Sequence, residues 1–238
     1  MGPAVADQPV LPPLATATWQ QVDRSDRRLL VLPLGSTEQH GPHLPLETDT
    51  VIANRLATAL RAHFPRLGLA PPMPYGASGE HRDFPGTLSI GTEALTSVVV
   101  EFVRHASLTW RHVLVVNGHG GNAAALAQAV ELTRFEGRSL TVQHAVTGGE
   151  RADPHAGYRE TSLMLHLDPA AVRTDLLAAG NTRPLADLLP GLRTGGVRRV
   201  SENGVLGDPT GATAEEGRRI FAVMLDAAIA RARSLLDG

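Results

Sequence analysis

The sequence predicts a single-domain α/β fold, a layered sandwich with a mainly parallel sheet flanked by helices. Three observations carry this. Short continuous apolar runs, 29–34 and 112–116, have the length of strands buried on both faces. Each runs into a glycine-containing loop and then into a segment with helical spacing, the alternation that builds parallel sheets. The chain of 238 residues is long enough to bury one core without a second domain.

In chain order, residues 1–26 form a Pro/Ala-rich opening segment, set apart from a domain over 27–238. The run 28–34 predicts the first strand, ending at Gly35-Ser36. From Thr50 to His63, apolar Val51, Ile52, Leu56, Ala59 and Leu60 follow a helical stripe that Pro65 stops. Residues 67–73 read as a second strand and 93–110 as a helix, with Leu95, Val98, Val99, Phe102, Val103 and Ala106 on one side. A third strand over 112–116 enters Asn117-Gly-His-Gly-Gly-Asn122, and a helix over 123–135 closes at Gly137. Residues 140–146 predict a fourth strand and 159–167 a short helix. Thr213 with Glu216 forms a capping box that opens the last helix.

Composition excludes several chemistries. There is no Cys, hence no disulfide, thiolate metal site or cysteine nucleophile. There is no Lys either, which removes Schiff bases and the lysine of a phosphate-binding P-loop. A net charge of −2 argues against nucleic acid as a partner. No apolar run approaches the roughly 20 residues of a membrane span, and the N-terminus lacks the pattern of a signal peptide, so a cytoplasmic protein is expected. Histidine, carboxylates and hydroxyls remain to do chemistry.

These types concentrate in three segments. In Gly35-Ser-Thr-Glu38-Gln-His40, residues two apart on extended chain face one side, so Glu38 and His40 can present oxygen and nitrogen to one place, with Asp49 at the next helix. A polar loop capping that helix is the plainer alternative. His119 stands in a glycine-rich loop at the end of a strand, as a metal ligand or as part of an anion cradle. His155 lies in a loop, and Glu160 opens a helix, where it can ligate a cation or simply stabilise the helix terminus. Charge favours two divalent cations: Glu38, Asp49, Glu160 and a bridging hydroxide would balance their four positive charges. A serine-hydrolase elbow, Gly-x-Ser-x-Gly, is absent.

Gly-Ser-Thr-Glu-Gln-His-Gly, Gly-Glu-His-x-x-Phe-Pro-Gly-Thr, Asn-Gly-His-Gly-Gly-Asn and His-Ala-Gly-x-x-Glu-Thr-Ser, in this order, resemble the creatininase family of metal-dependent amidohydrolases. The resemblance implies a creatininase-like fold with two divalent ions (Zn, Fe or Mn), one held by Glu38, Asp49 and His119, the other by His40, Asp49 and Glu160, with Asp49 bridging. It implies a water activated between them, His155 as the catalytic proton donor and Glu80 beside it. Substrate contacts are expected from His81 and Gly120, and from an arginine such as Arg151, Arg159 or Arg198 gripping a carboxylate. The chain departs from creatininase proper at Gly121, where a ligating Glu is expected, and its only tryptophans, Trp19 and Trp110, do not stand where the creatinine enzyme has its own. Creatinine is therefore not the expected substrate. Residues 173–221 resemble the branch of the family that removes a modified C-terminal Val-Tyr unit from a ribosomal precursor peptide. Hydrolysis of a formamide or cyclic amide, or inactive peptide binding, are the alternatives. Relatives of this kind imply a homo-oligomer, a dimer-based ring of six or eight subunits.

Overall fold

The structure is a computed structural model that describes residues 10–145 and 153–238. Four parallel strands form one sheet in the order β2-β1-β3-β4. They are β1 (Leu29–Leu34), β2 (Gly68–Leu69), β3 (His112–Asn117) and β4 (Leu140–His144). The helices are α1 (Trp19–Asp23), α2 (Thr48–His63), α3 (Thr92–Ala106), α4 (Ala123–Phe135), α5 (Tyr158–Leu167), α6 (Leu185–Val200) and α7 (Ala214–Asp237).

Strand alternation sorts the core into two layers. Leu29 and Val31 of β1, with Leu114 and Val116 of β3, pack against α2, α5 and α7. Their neighbours Leu30, Leu32, Leu34, Val113 and Val115 turn to the other face, against α3 and α4. Both faces are covered, which is why these strands read as unbroken apolar runs. Thr213 caps α7 as its spacing predicts, its Oγ1 accepting from the Glu216 N–H at 3.1 Å.

Differences from the sequence reading are local. The expected strand over 67–73 shrinks to Gly68–Leu69, and Met73 rejoins β1 only through a single bridge to Leu34. Three prolines, Pro71, Pro72 and Pro74, surround that gap and cannot donate to a ladder. The helix expected to run to 110 stops at Ala106, with Trp110 N–H returning to Ala106 O at 2.8 Å before β3. Val146, the expected end of the fourth strand, lies outside the described residues. Helices α1 and α6 were not foreseen.

The β1–β3 register pairs Leu34 with Asn117, so the chain leaves both strands side by side, at the edge where Glu38 and His119 follow. Gly118 meets the first turn of α2 there: a Cβ on it would lie 2.3 Å from Asp49 O, so only glycine admits this approach. The layer beneath depends on Leu56, fully buried on α2. Leu56→Ala is expected to destabilise the protein by about 2–5 kcal/mol, measured by chemical denaturation.

Candidate metal centre

Five side chains far apart in sequence meet beyond the carboxyl ends of β1 and β3. Glu38, Asp49 and His119 offer donor atoms within 4.8 Å of one another, and so do His40, Asp49 and Glu160. Asp49 belongs to both groups. A third such group joins Glu38, His40 and His155. All six are buried.

Local structure aims each of them. Glu38 and His40 lie on the irregular segment after β1, and His40 Nδ1 donates to Glu38 O at 3.1 Å, which turns Nε2 inward to 3.1 Å from Asp49 Oδ1. Fixing one ring nitrogen in this way leaves the other as a donor atom. Asp49 and Glu160 stand in the first turns of α2 and α5, where helix termini favour negative charge. Ser36 Oγ donates to Asp49 Oδ2 at 2.7 Å. His119 faces Asp49 Oδ2 through Nδ1 at 3.2 Å and Glu38 Oε2 through Nε2 at 3.1 Å. Glu160 Oε2 accepts from the Ala156 N–H at 2.6 Å.

The electrostatics show a demand for positive charge. Burial pushes Asp49 upward, but the His40 and His119 imidazoles outweigh it and hold the carboxyl well below its usual range. Burial likewise raises Glu38, and His119 overrides it, bringing the carboxyl to about 2. Burial lowers the two imidazoles, yet Asp49 lifts His40 to about 10, and Glu38 and Asp49 lift His119 well above its usual value. For Glu160 burial prevails over His40 and pushes the carboxyl up to about 7. The two raised imidazoles face Asp49 and Glu38, while the Glu160 carboxyl is left raised. Both Glu38 oxygens also lie within ion-pair distance of imidazoles, yet neither is in a hydrogen bond of proper geometry. This donor set, oxygen-rich with inward-facing imidazole nitrogens, fits hard or borderline divalent cations, which would take the place of the histidine protons.

In front of the cluster a cavity of about 430 Å³ opens, lined by Glu80, His81, His119, Gly120, His155 and Glu160. Through His119 and Glu160 it reaches both donor groups. Glu80 and His81 sit on a 3-10 turn, Gly79–His81, with Glu80 Oε1 3.5 Å from His119 Nε2. Burial raises the Glu80 carboxyl. Arg151 lies outside the described residues. Arg159 does not line the cavity, and Arg198 is engaged elsewhere, 5.0 Å from the Phe84 ring centroid with Nη1 donating to Asp83 O.

Gln39 was missed by the sequence reading. Its backbone carbonyl accepts from His155 Nε2 at 2.7 Å, and its side-chain Nε2 donates to His81 Nδ1 at 2.9 Å and to Gly204 O at 3.0 Å. The first bond places the His155 proton on Nε2 and leaves Nδ1 facing Glu38 Oε1 at 3.6 Å. Burial, then the His40 and His81 rings, holds His155 well below the usual imidazole range.

The Creatininase family model, described as creatinine amidohydrolase, matches residues 15–232. The chain belongs to the creatininase family. It is 53% identical over 232 residues to the mycofactocin precursor peptide peptidase of Mycobacterium tuberculosis, covering 94% of this chain and 91% of the relative. With the Mycolicibacterium smegmatis protein of the same name, identity is 52% over 90% of this chain and 87% of the relative. Creatinine amidohydrolase of Pseudomonas putida is 27% identical over 66% of this chain and 72% of its own length. Among solved structures, a manganese form of creatininase superposes with a TM-score of 0.78 at 23% identity, covering 94% of this chain and 98% of that one, which shows the shared fold.

Two features of this creatininase-family chain match its departures in sequence. A side chain at Gly121 would meet His119 Nε2 at 2.3 Å and Glu80 Oε1 at 2.5 Å, so no ligand can stand there without displacing both. Trp110 packs against Gly68 in the core and Trp19 is exposed; neither lines the cavity. Because Asp49 belongs to both donor groups, Asp49→Ala is expected to abolish metal binding, measured as metal per chain by elemental analysis. Because protons on His40 and His119 compete with the cations, metal content of the unmodified protein should fall as the pH of equilibration is lowered.

Proposed function

We propose that this chain is a two-metal peptidase that hydrolyses the amide bond before a modified C-terminal Val-Tyr unit of a ribosomal precursor peptide. The observation that carries the reading is the pair of donor groups sharing Asp49, each with one member, His119 or Glu160, lining a cavity large enough for a dipeptide-sized unit, within the roughly 300–1,000 Å³ of small-molecule pockets. The high identity to Mycobacterium proteins named for peptide cleavage, across nearly the whole chain, supports the choice of substrate.

Glu38, Asp49 and His119 would hold one cation, and His40, Asp49 and Glu160 the other, with Zn, Fe and Mn all compatible with these donors. Bound there, divalent ions supply Lewis acidity toward a carbonyl and lower the pKa of water. The chain's own residues handle the proton. His155, neutral and protonated on Nε2, presents the Nδ1 lone pair to the site, so it starts as an acceptor and becomes the general acid toward the leaving amine once it has taken a proton. Its Nε2–H stays tied to Gln39 O, and the main-chain bridge between His155 and Leu206 fixes the ring's position. His81, turned by Gln39 so that Nε2 faces Glu38 Oε1 at 3.4 Å, holds that carboxylate from the cavity side. Glu80 and Gly120 line the approach to His119 as substrate contacts. A ring of dimers completes the proposed assembly.

The test is to load the protein with Zn, Mn or Fe, incubate it with the matured precursor peptide, and follow the products by mass spectrometry. Release of the C-terminal unit, abolished by chelation, is expected; an intact peptide with every metal would refute the reading, and formate release from a formamide would redirect it. His155→Ala is expected to keep its metal content while turnover falls by about 10²–10⁴-fold.

A further inference from the structure

The cavity has a wall that the metal chemistry does not use. Helix α6 contributes Leu185, Leu189, Leu192, Arg193 and Val197 to it, and Leu206 completes that side. Leu185, Leu189 and Arg193 follow at intervals of four, one stripe along the helix. The stripe is not the helix's core face: Leu188 does that work, 2% exposed, whereas Leu185 is 44% and Leu189 36% exposed. A helix that buries one apolar face and turns a second toward an open cavity has a surface left for a ligand.

The placement of this wall is fixed by contacts with the segment that bears Glu80 and His81. At Gly196 the helix breaks, with φ +69, and a Cβ there would lie 2.5 Å from Glu80 O. Arg198 stacks on Phe84, and Leu188, Val197 and Leu206 pack together with Phe84 beside them. The leucines therefore stand at a set position in the cavity that His119, Glu160 and His155 also line. Continuity with the cluster identifies the occupant as part of the substrate, the wall's apolar character identifies its chemistry, and Arg193 at the end of the stripe disfavours a cation.

We infer that the α6 stripe is the specificity-determining subsite for the leaving unit, which it selects by its bulky apolar side chains. This rests on reading the cluster as a hydrolytic centre. It explains how a site built on widely shared donor groups rejects small polar amides, since a compact polar molecule leaves the leucine wall unfilled and gains nothing from it.

Leu189→Asp tests this, because the side chain is partly exposed and outside the core. Binding of valyl-tyrosine amide and of diglycine amide to the metal-loaded protein is measured by titration calorimetry, beside cleavage of peptides carrying the same pairs at their amidated ends. Unmodified protein is expected to bind the apolar amide roughly tenfold or more tightly than diglycine amide, and L189D to lose that ratio. No preference in the unmodified protein, or a ratio preserved in L189D, would overturn the subsite. Leu185→Asp, a turn away, serves the same measurement if L189D does not fold. A binding preference without cleavage of any peptide would refute the peptidase reading and leave the subsite standing; cleavage with the ratio unchanged in the variant would do the reverse.

Discussion

Three carboxylates buried together beyond the ends of two strands set the terms for everything around them. Removing one such charge from water costs several kcal/mol even after relaxation, and here Glu38, Asp49 and Glu160 share one small volume. The fold answers with positive potential from several sources. The N-termini of α2 and α5 lie at Asp49 and Glu160, the carboxylates raise the pKa of His40 and His119, and Ser36 and the Ala156 N–H donate hydrogen bonds. The compensation stops short, as the raised Glu160 carboxyl and the unbonded Glu38 oxygens show. A cluster of this composition is costly as protein alone, and becomes stable when cations complete it.

The sheet makes the convergence possible. Parallel strands deliver their chain ends to one edge, so β1 and β3, paired in register from Leu29–His112 to Leu34–Asn117, release Glu38 and His119 as neighbours. Gly118 then lets β3's exit touch the backbone of Asp49, which joins the second layer to the first at the point where the two donor groups overlap. Gln39, between two donors in sequence, ties in the elements that come later: its amide and carbonyl reach His81, His155 and Gly204. One short segment thus orients groups from three other parts of the chain.

Much of this was legible in the residues. Strands buried on both faces announce themselves as apolar runs, and each of the four parallel strands falls on a segment so read, although β3 runs one residue further to Asn117 and the prolines near Met73 trimmed the second. The donor residues were marked because they cluster in motifs with glycines, and the structure brings Glu38, His40, Asp49, His119 and Glu160 together. Side-chain roles that depend on the tertiary arrangement were not legible. Nothing in the sequence shows that Gln39 faces two histidines more than 40 residues away. Helix α6 was hidden by Pro190 and by Gly191, Gly195 and Gly196, which read as loop signals, although Leu185, Leu188, Leu189 and Leu192 have helical spacing. The glycines turned out to serve contact: Gly196 is where the helix meets Glu80 O, an approach that a propensity scale scores as a break.

On the proposed reading, chemistry and selectivity sit on different parts of the molecule. The donors come from the ends of β1 and β3 and the first turns of α2 and α5, all rooted in the two main core layers, where any shift of the backbone would disturb several donors at once. The cavity wall comes from α6, which has its own small core of Leu188, Val197 and Leu206 and touches the centre through Gly196 and the Glu80 turn. Leu185 and Leu189, on the open side of that helix, lie outside its buried cluster. A family with one metal-binding architecture and relatives named for a peptide, a formylated nucleotide and creatinine is what such a division permits. The constraint runs the other way for Gly121 and Gly196, where a side chain would push against His119 and Glu80 and join the two regions that the fold otherwise keeps separate.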